Sequence, residues 1–153
     1  GGVALLITCL LWWTYFGWVK EVLEAKLRSV RGADQSTMAR DAYTLWHFPL
    51  VSGIIALAVG FEASLHPEEY STAQAAIAVG AGLTLFLCST AAALWRAERC
   101  VLWNRLVILA LTLAALAVSA ATSPLQVLAI ACAGLAIIVL VEQVTIRREL
   151  APL

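Results

Sequence analysis

The sequence is short of charge. Lys and Arg number 10, Asp and Glu 10, and together they make 13% of the 153 residues, against 62% hydrophobic residues. Soluble domains carry roughly a quarter of their residues as charges, so a water-exposed fold is excluded: this much apolar surface would aggregate. Histidine is scarce, with only His47 and His66, and the four cysteines at 9, 88, 100 and 132 show no metal-binding or redox spacing. Those cysteines are expected to act as small hydrophobes in packing. A glycine-rich nucleotide loop, a His-Glu-x-x-His pair and a Ser-His-Asp set are all missing. No enzymatic activity and no cofactor are therefore expected. The few basic residues form no patch that would hold nucleic acid.

What the chain has instead is five long apolar runs, at residues 3–19, 43–61, 73–94, 102–121 and 124–144. Each is near the ~20 residues needed to cross a bilayer as a helix. The expected fold is an all-α membrane protein: a five-transmembrane-helix bundle forming a single domain over residues 1–153, with no room for a separate soluble core. Its bases sort by connection. Lys20, Lys26, Arg28, Arg31 and Arg40 fall in the first, Arg96, Arg99 and Arg105 in the third, and Arg147 and Arg148 in the tail. The second holds Glu62, Glu68 and Glu69 without a base, and Thr122-Ser123 in the fourth is uncharged. Basic residues stay on the cytoplasmic side during insertion, so the N-terminus is expected outside and the C-terminus in the cytoplasm. The chain opens with Gly1-Gly2 and no basic region before its first apolar run, unlike a signal peptide. A fragment of a longer polytopic protein is expected. Its partners would be the lipid bilayer and either missing N-terminal helices or further copies in a homo-oligomer.

Local signals differentiate the helices. The first should continue past Lys20 and break at Arg31-Gly32-Ala33-Asp34, with Ser36 or Thr37 capping an entry turn into the second. In the second, Pro49 removes a backbone donor and leaves the Leu45 carbonyl without its usual partner. Gly53, Ala56, Gly60 and Ser64 then form a small-residue stripe, matched on the third helix by Ala76, Gly80 and Thr84. His66-Pro67-Glu68-Glu69 reads as the start of that third helix. The fourth looks like scaffold, and Ser123-Pro124 predicts a capped, tight hairpin into the fifth.

The candidate binding residues are Arg40, Asp41, Tyr43 and His47, with Trp13 and Tyr15. Arg40, Tyr43 and His47 recur at i, i+3 and i+7 and so share a helical face. His47 lies only ~6 Å inside the expected helix start, where water could reach it. The run Trp12 to Trp18 could line a cavity or simply pack and anchor at the interface. His47 and His66 are expected on opposite sides, which excludes them as one metal pair or as two ligands of one haem. Glu62 and Glu142 read as interfacial carboxylates, Glu142 within reach of a cytoplasmic arginine.

Trp12-Trp13-Thr14-Tyr15-Phe16, then Arg40-Asp41-Ala42-Tyr43, His47, Pro49 and Ala58-Val59-Gly60-Phe61-Glu62 carry a likeness. With these strings the chain resembles the C-terminal half of the bacterial low temperature requirement A family, most closely in its first two helices. The resemblance implies a polytopic bacterial inner-membrane protein longer than this chain, and no particular reaction. One departure stands out: Gly17 occupies the place after Tyr-Phe where the family often has an Asp.

Three functions are carried forward. The first is a transporter or permease-like protein for a small solute or ion, suggested by an intramembrane His beside a Pro-broken helix and a basic mouth. The alternative is a non-catalytic structural or regulatory membrane protein supporting growth at low temperature. A membrane enzyme or redox carrier comes third.

Overall fold

The computed structural model describes residues 2–99, 102–119 and 123–150, and all of the regular structure among them is helical. Seven α-helices follow in order: α1 (Gly2–Phe16), α2 (Val19–Ser29), α3 (Ala33–Arg40), α4 (His47–Leu65), α5 (Thr72–Glu98), α6 (Trp103–Ser119) and α7 (Pro124–Leu150). A short π-helical segment, Asp41–Leu45, joins α3 to α4. Four stretches are long and apolar enough to cross a membrane: Gly2–Ser29, His47–Leu65, Thr72–Glu98 and Pro124–Thr145. The fourth expected span is represented by a shorter apolar helix, Trp103–Val118. With 24 large hydrophobic side chains among the described residues, from Leu5 to Val144, exposed on the bundle's outside, burial inside the protein does not account for its apolar character, whereas a lipid surround does.

Several local expectations are corrected. The first helix is interrupted at Gly17-Trp18, where Trp18 takes φ −163° and α2 starts afresh. Gly32, at φ +64°, makes the turn into α3. That helix begins one residue later, so Ser36 lies inside it, donating to the Gly32 carbonyl, rather than capping it. The π-helical segment answers the Pro49 problem. An i→i+5 bond from Trp46 N–H to the Asp41 carbonyl (3.1 Å) closes the wide turn. The α-helix then restarts at His47, leaving Pro49 in the first turn, where no donor is needed. The extra residue also breaks the i, i+3, i+7 face expected for Arg40, Tyr43 and His47.

The third helix does not begin at His66. Residues 66–70 form a turn, with Tyr70 N–H bonded to the His66 carbonyl at 3.1 Å. The helix starts instead with a capping box: Ser71 Oγ accepts from Gln74 N–H, and Gln74 Oε1 accepts from Ser71 N–H at 2.8 Å. Ser123 caps α7 as expected, its Oγ accepting from Gln126 N–H at 3.3 Å.

The closest packing is between α4 and α5. A Cβ added to Gly53 would lie 2.7 Å from Phe86 N and 2.8 Å from the Gly82 carbonyl, so only glycine allows this backbone approach. Gly82, not Gly80, is the partner on α5: Gly80 faces Leu113 and Leu116 of α6. A main core runs along the bundle through Ile7, Leu57, Val79, Leu87, Leu135 and Ile138. A second, at the end where α2 and α3 lie, gathers Val19, Leu23, Met38, Ala93, Leu94 and Ala97.

Candidate functional site

The most unusual environment in the molecule belongs to Arg105. It stands in the first turn of α6, its side chain is 0% exposed, and it faces Glu142 of α7, whose side chain is 11% exposed. Arg105 Nε donates to Glu142 Oε1 at 2.8 Å, and Nη2 approaches the same oxygen at 2.7 Å. Nη1 donates to the Thr90 hydroxyl of α5 at 2.6 Å, and Nη2 reaches the Thr14 carbonyl of α1 at 3.5 Å. The other carboxylate oxygen, Oε2, accepts from the Trp18 indole N–H at 3.2 Å. Five chain segments thus meet on one ion pair.

The backbone makes this possible at the first helix. Thr14 lies one turn before Trp18, where the helix is interrupted, and its carbonyl turns to the guanidinium. The same break aims Trp18 at Glu142. Thr90 is oriented by donating to the Leu87 carbonyl at 2.9 Å, which leaves its oxygen lone pairs to Arg105. Guanidinium donors in a fixed fork and a carboxylate with two acceptor oxygens suit each other in a low-dielectric interior. Among the described residues no buried side-chain nitrogen or oxygen lacks a hydrogen-bond partner.

A second, more open polar group lies where α3 runs into the π-helical segment. Asp41 accepts from Arg40 Nη2 at 2.9 Å and from Arg96 Nε at 3.1 Å, the latter reaching across from α5. The Arg40 hydrogen bond is the main cause holding the Asp41 carboxyl below its ordinary 3.8. Partial burial opposes it and Arg96 adds to it.

The sequence-predicted residues divide between these surroundings. His47, at the start of α4, is exposed on one side. On the other it lines, with Tyr15, Ser89 and Thr90, a crevice of about 10 Å³. That is room for about one water. Thr90 therefore belongs to both the crevice and the ion pair. Arg40 and Asp41 form the outer group with Arg96. Trp13 is 48% exposed and borders an open groove of about 400 Å³ with Gln143 and Leu140, away from His47. The side chain of Tyr43 lies outside the described residues.

Arg105 and Glu142 were not among the expected site residues. Arg105 counted only as a topology-setting base and Glu142 as an interfacial carboxylate; the structure adds that the two side chains are buried against each other, the arginine partner expected for Glu142 being Arg105. The signal was present: each is a charge inside an expected span, residues 102–121 and 124–144, and such charges face the interior in pairs.

Comparison with known proteins gives the chain its place. The family model "Bacterial low temperature requirement A protein (LtrA)" matches residues 2–140. The chain belongs to this family. The match runs through the first four expected spans and into the fifth, beyond the two helices that carry the likeness by eye. Among curated proteins, "Uncharacterized protein RA0937" of Rhizobium meliloti (strain 1021) is 37% identical over 90 residues, covering 56% of this chain and 20% of that protein. The chain thus aligns with about a fifth of that relative's length. No solved structure matches. Against the LtrA pattern, Gly17 has a local reason: a Cβ there would lie 2.6 Å from the Trp13 carbonyl oxygen, in the turn that frees Trp18.

Proposed function

We propose that this LtrA domain is the membrane-embedded part of a permease-like protein that moves a small solute or ion across a bacterial inner membrane. The observation that carries the reading is the Arg105–Glu142 pair, buried beside an interrupted helix. Charges inside a membrane are expensive and are found at conduction paths and relays. Interrupted helices recur at transport sites because their freed backbone groups can bind ions. The distribution of bases supports an orientation with the N-terminus outside and the C-terminus in the cytoplasm, with α6 as the fourth of five spans in a multi-pass bundle. In that orientation the ion pair, Asp41 and His47 all lie toward the cytoplasmic end. Further helices of the same protein, or a second copy, would cover the exposed apolar faces.

The test is electrical. Proteoliposomes adsorbed on a solid-supported membrane are exposed to a panel of small organic acids, amino acids, sugars and inorganic ions. Solute-induced currents are expected with the wild-type protein and not with the double variant Arg105→Gln/Glu142→Gln. No current from any solute refutes the permease reading.

A second reading rests on a specific observation: the donors of Arg105 that face Glu142, Thr90 and Thr14 are all taken up by the protein. On that reading the pair is a structural lock, and the family's role in growth at low temperature is one of membrane architecture. Complementation of cold growth by the double-Gln variant would favour it.

A further inference from the structure

Of the four long apolar stretches, α5 is the most deeply enclosed by its neighbours. What it leaves open along its apolar length is a narrow stripe. Ile77, Ala81, Leu85, Cys88 and Trp95 are exposed and recur at spacings of four, four, three and seven, which is one face of a helix. In a membrane that face meets lipid. Arg99 follows Trp95 at the same four-residue spacing and ends the helix. Its N–H donates to the Trp95 carbonyl at 2.9 Å, and its backbone then turns left-handed, at φ 54° and ψ 21°.

Among the described residues Arg99 alone has a positive φ without being glycine. Glycine or asparagine suits that conformation, and a longer side chain is strained in it. The turn lays the guanidinium over the Trp95 ring, 4.7 Å from its centre, and that ring is 44% exposed. No ion pair accompanies the strain: among the described residues nothing accepts from the guanidinium of Arg99. The adjacent Glu98 is engaged by Lys26 of α2 at 3.8 Å, and the neighbouring Arg96 by Asp41. One face of the guanidinium therefore rests on indole, while the donors in its plane stay open.

We infer that Arg99, stacked on Trp95, is the headgroup site for one anionic phospholipid whose acyl chain lies along the exposed stripe of α5. A planar fork of donors matches phosphate oxygens two at a time. The indole holds that fork at the right level, since Trp95 and Trp103 are both exposed and such rings settle where headgroups begin. From Trp95 inward to Leu85 is ~15 Å at helical rise, half of the ~30 Å hydrocarbon core. Between them Cys88 and Ala92 are small side chains, which leaves a chain room to lie against the helix. The headgroup follows from the charges. Choline or ethanolamine would bring an ammonium in need of a carboxylate, and Glu98 is already taken by Lys26. A headgroup without a cation, as in phosphatidylglycerol, fits instead. The site asks nothing of transport, so it stands or falls apart from the permease reading.

The full chain in detergent is titrated with dioleoyl phosphatidylglycerol or dioleoyl phosphatidylcholine, and bound lipids are counted by native mass spectrometry. In the wild type the first phosphatidylglycerol should bind about fivefold tighter than the first phosphatidylcholine, the effect of one basic residue at an anionic surface. Arg99→Gly suits the left-handed backbone, so it should melt no lower than wild type and yet lose the preference. Arg99→Asn, also tolerant of that backbone, is measured beside it. Trp95→Leu removes the platform and should cut the preference about twofold. Arg28→Ala removes an equal charge from α2, where the side chain is 81% exposed, and should leave the preference intact. Excess inorganic phosphate should not displace the lipid. A wild type without preference overturns the inference, as does a preference that survives in both Arg99 variants or is unaltered in Trp95→Leu. An equal loss in Arg28→Ala overturns it in favour of diffuse attraction, and displacement by phosphate in favour of a plain anion site. Lower melting of both Arg99 variants overturns it too, since Arg99 would then be holding the fold.

Discussion

Replacing Arg105 with methionine tests whether the pair is a desolvated charge centre or a pair that water can still reach. Methionine keeps much of the volume but removes every donor to Glu142, Thr90 and the Thr14 carbonyl. Breaking a buried ion pair from one side costs about 3–5 kcal/mol, because the remaining charge stays buried and unpaired. Removing both charges is close to neutral when the shape is kept. Arg105→Met/Glu142→Gln achieves this, and the Gln amide oxygen can still accept from Trp18. The single variant should therefore lose about 3–5 kcal/mol, and the double should recover at least about 2 kcal/mol of that loss, by the same argument. Unfolding by SDS in mixed micelles, followed by tryptophan fluorescence, measures both. A single variant that loses less than about 1 kcal/mol, the range of a solvated surface pair, would refute the reasoning. So would a double variant no more stable than the single.

Three further outcomes are expected. Trp18→Phe removes the indole donor to Glu142 Oε2 and should cost about 1.5–3 kcal/mol, the range for a hydrogen bond to a charged group, in the same titration. Gly53→Ala and Gly82→Ala put a methyl within 2.8 Å of facing backbone and should each cost about 1–3 kcal/mol as overpacking. Gly80→Ala meets only the ends of two flexible side chains, Leu113 at 3.3 Å and Leu116 at 3.9 Å, and should be near neutral, so equal losses at all three positions would contradict the packing described. Asp41 has its carboxyl pKa depressed, so its contribution to stability is complete above 3.8 and lost as pH falls below that value through the depressed one. Melting temperature measured from pH 6 down to 2 should show a wild-type decline in that window that is smaller in Asp41→Asn; parallel curves would count against the arginine clamp.

Much of the fold was legible because membrane helices announce themselves by length and composition. The limits of α4, α5 and α7 fell within several residues of expectation, and the Ser123-Pro124 cap stands where it was expected. Errors arose where two signals competed. Pro67 and the acids after His66 outweighed the Ser71–Gln74 box, although the box satisfies two backbone donors directly. The wide turn before Pro49 could not be read from spacing, since any helical wheel assumes the residue count per turn that the π-helical segment violates. The Arg105–Glu142 pair was half legible. Each charge stands inside an apolar run, yet their meeting depends on α6 lying against α7 and on a break in α1, which one-dimensional periodicity does not encode. The expected group around Arg40, Asp41 and His47 was found in two places, an outer clamp and the mouth of the crevice.

The shortness of α6 has a consequence for how the protein is made. Trp103–Val118 is a brief apolar stretch that carries Arg105 in its first turn, and a lone arginine deep in a helix adds up to about 2.5–3.5 kcal/mol to membrane insertion. α7, long and apolar, brings the compensating Glu142 only near its far end. During synthesis the ribosome must therefore complete both helices before either charge finds its counterpart. Only four residues separate them in the sequence, which makes α6 and α7 a single unit of insertion, and a chain truncated before Glu142 should leave α6 stranded at the translocon for quality control to find.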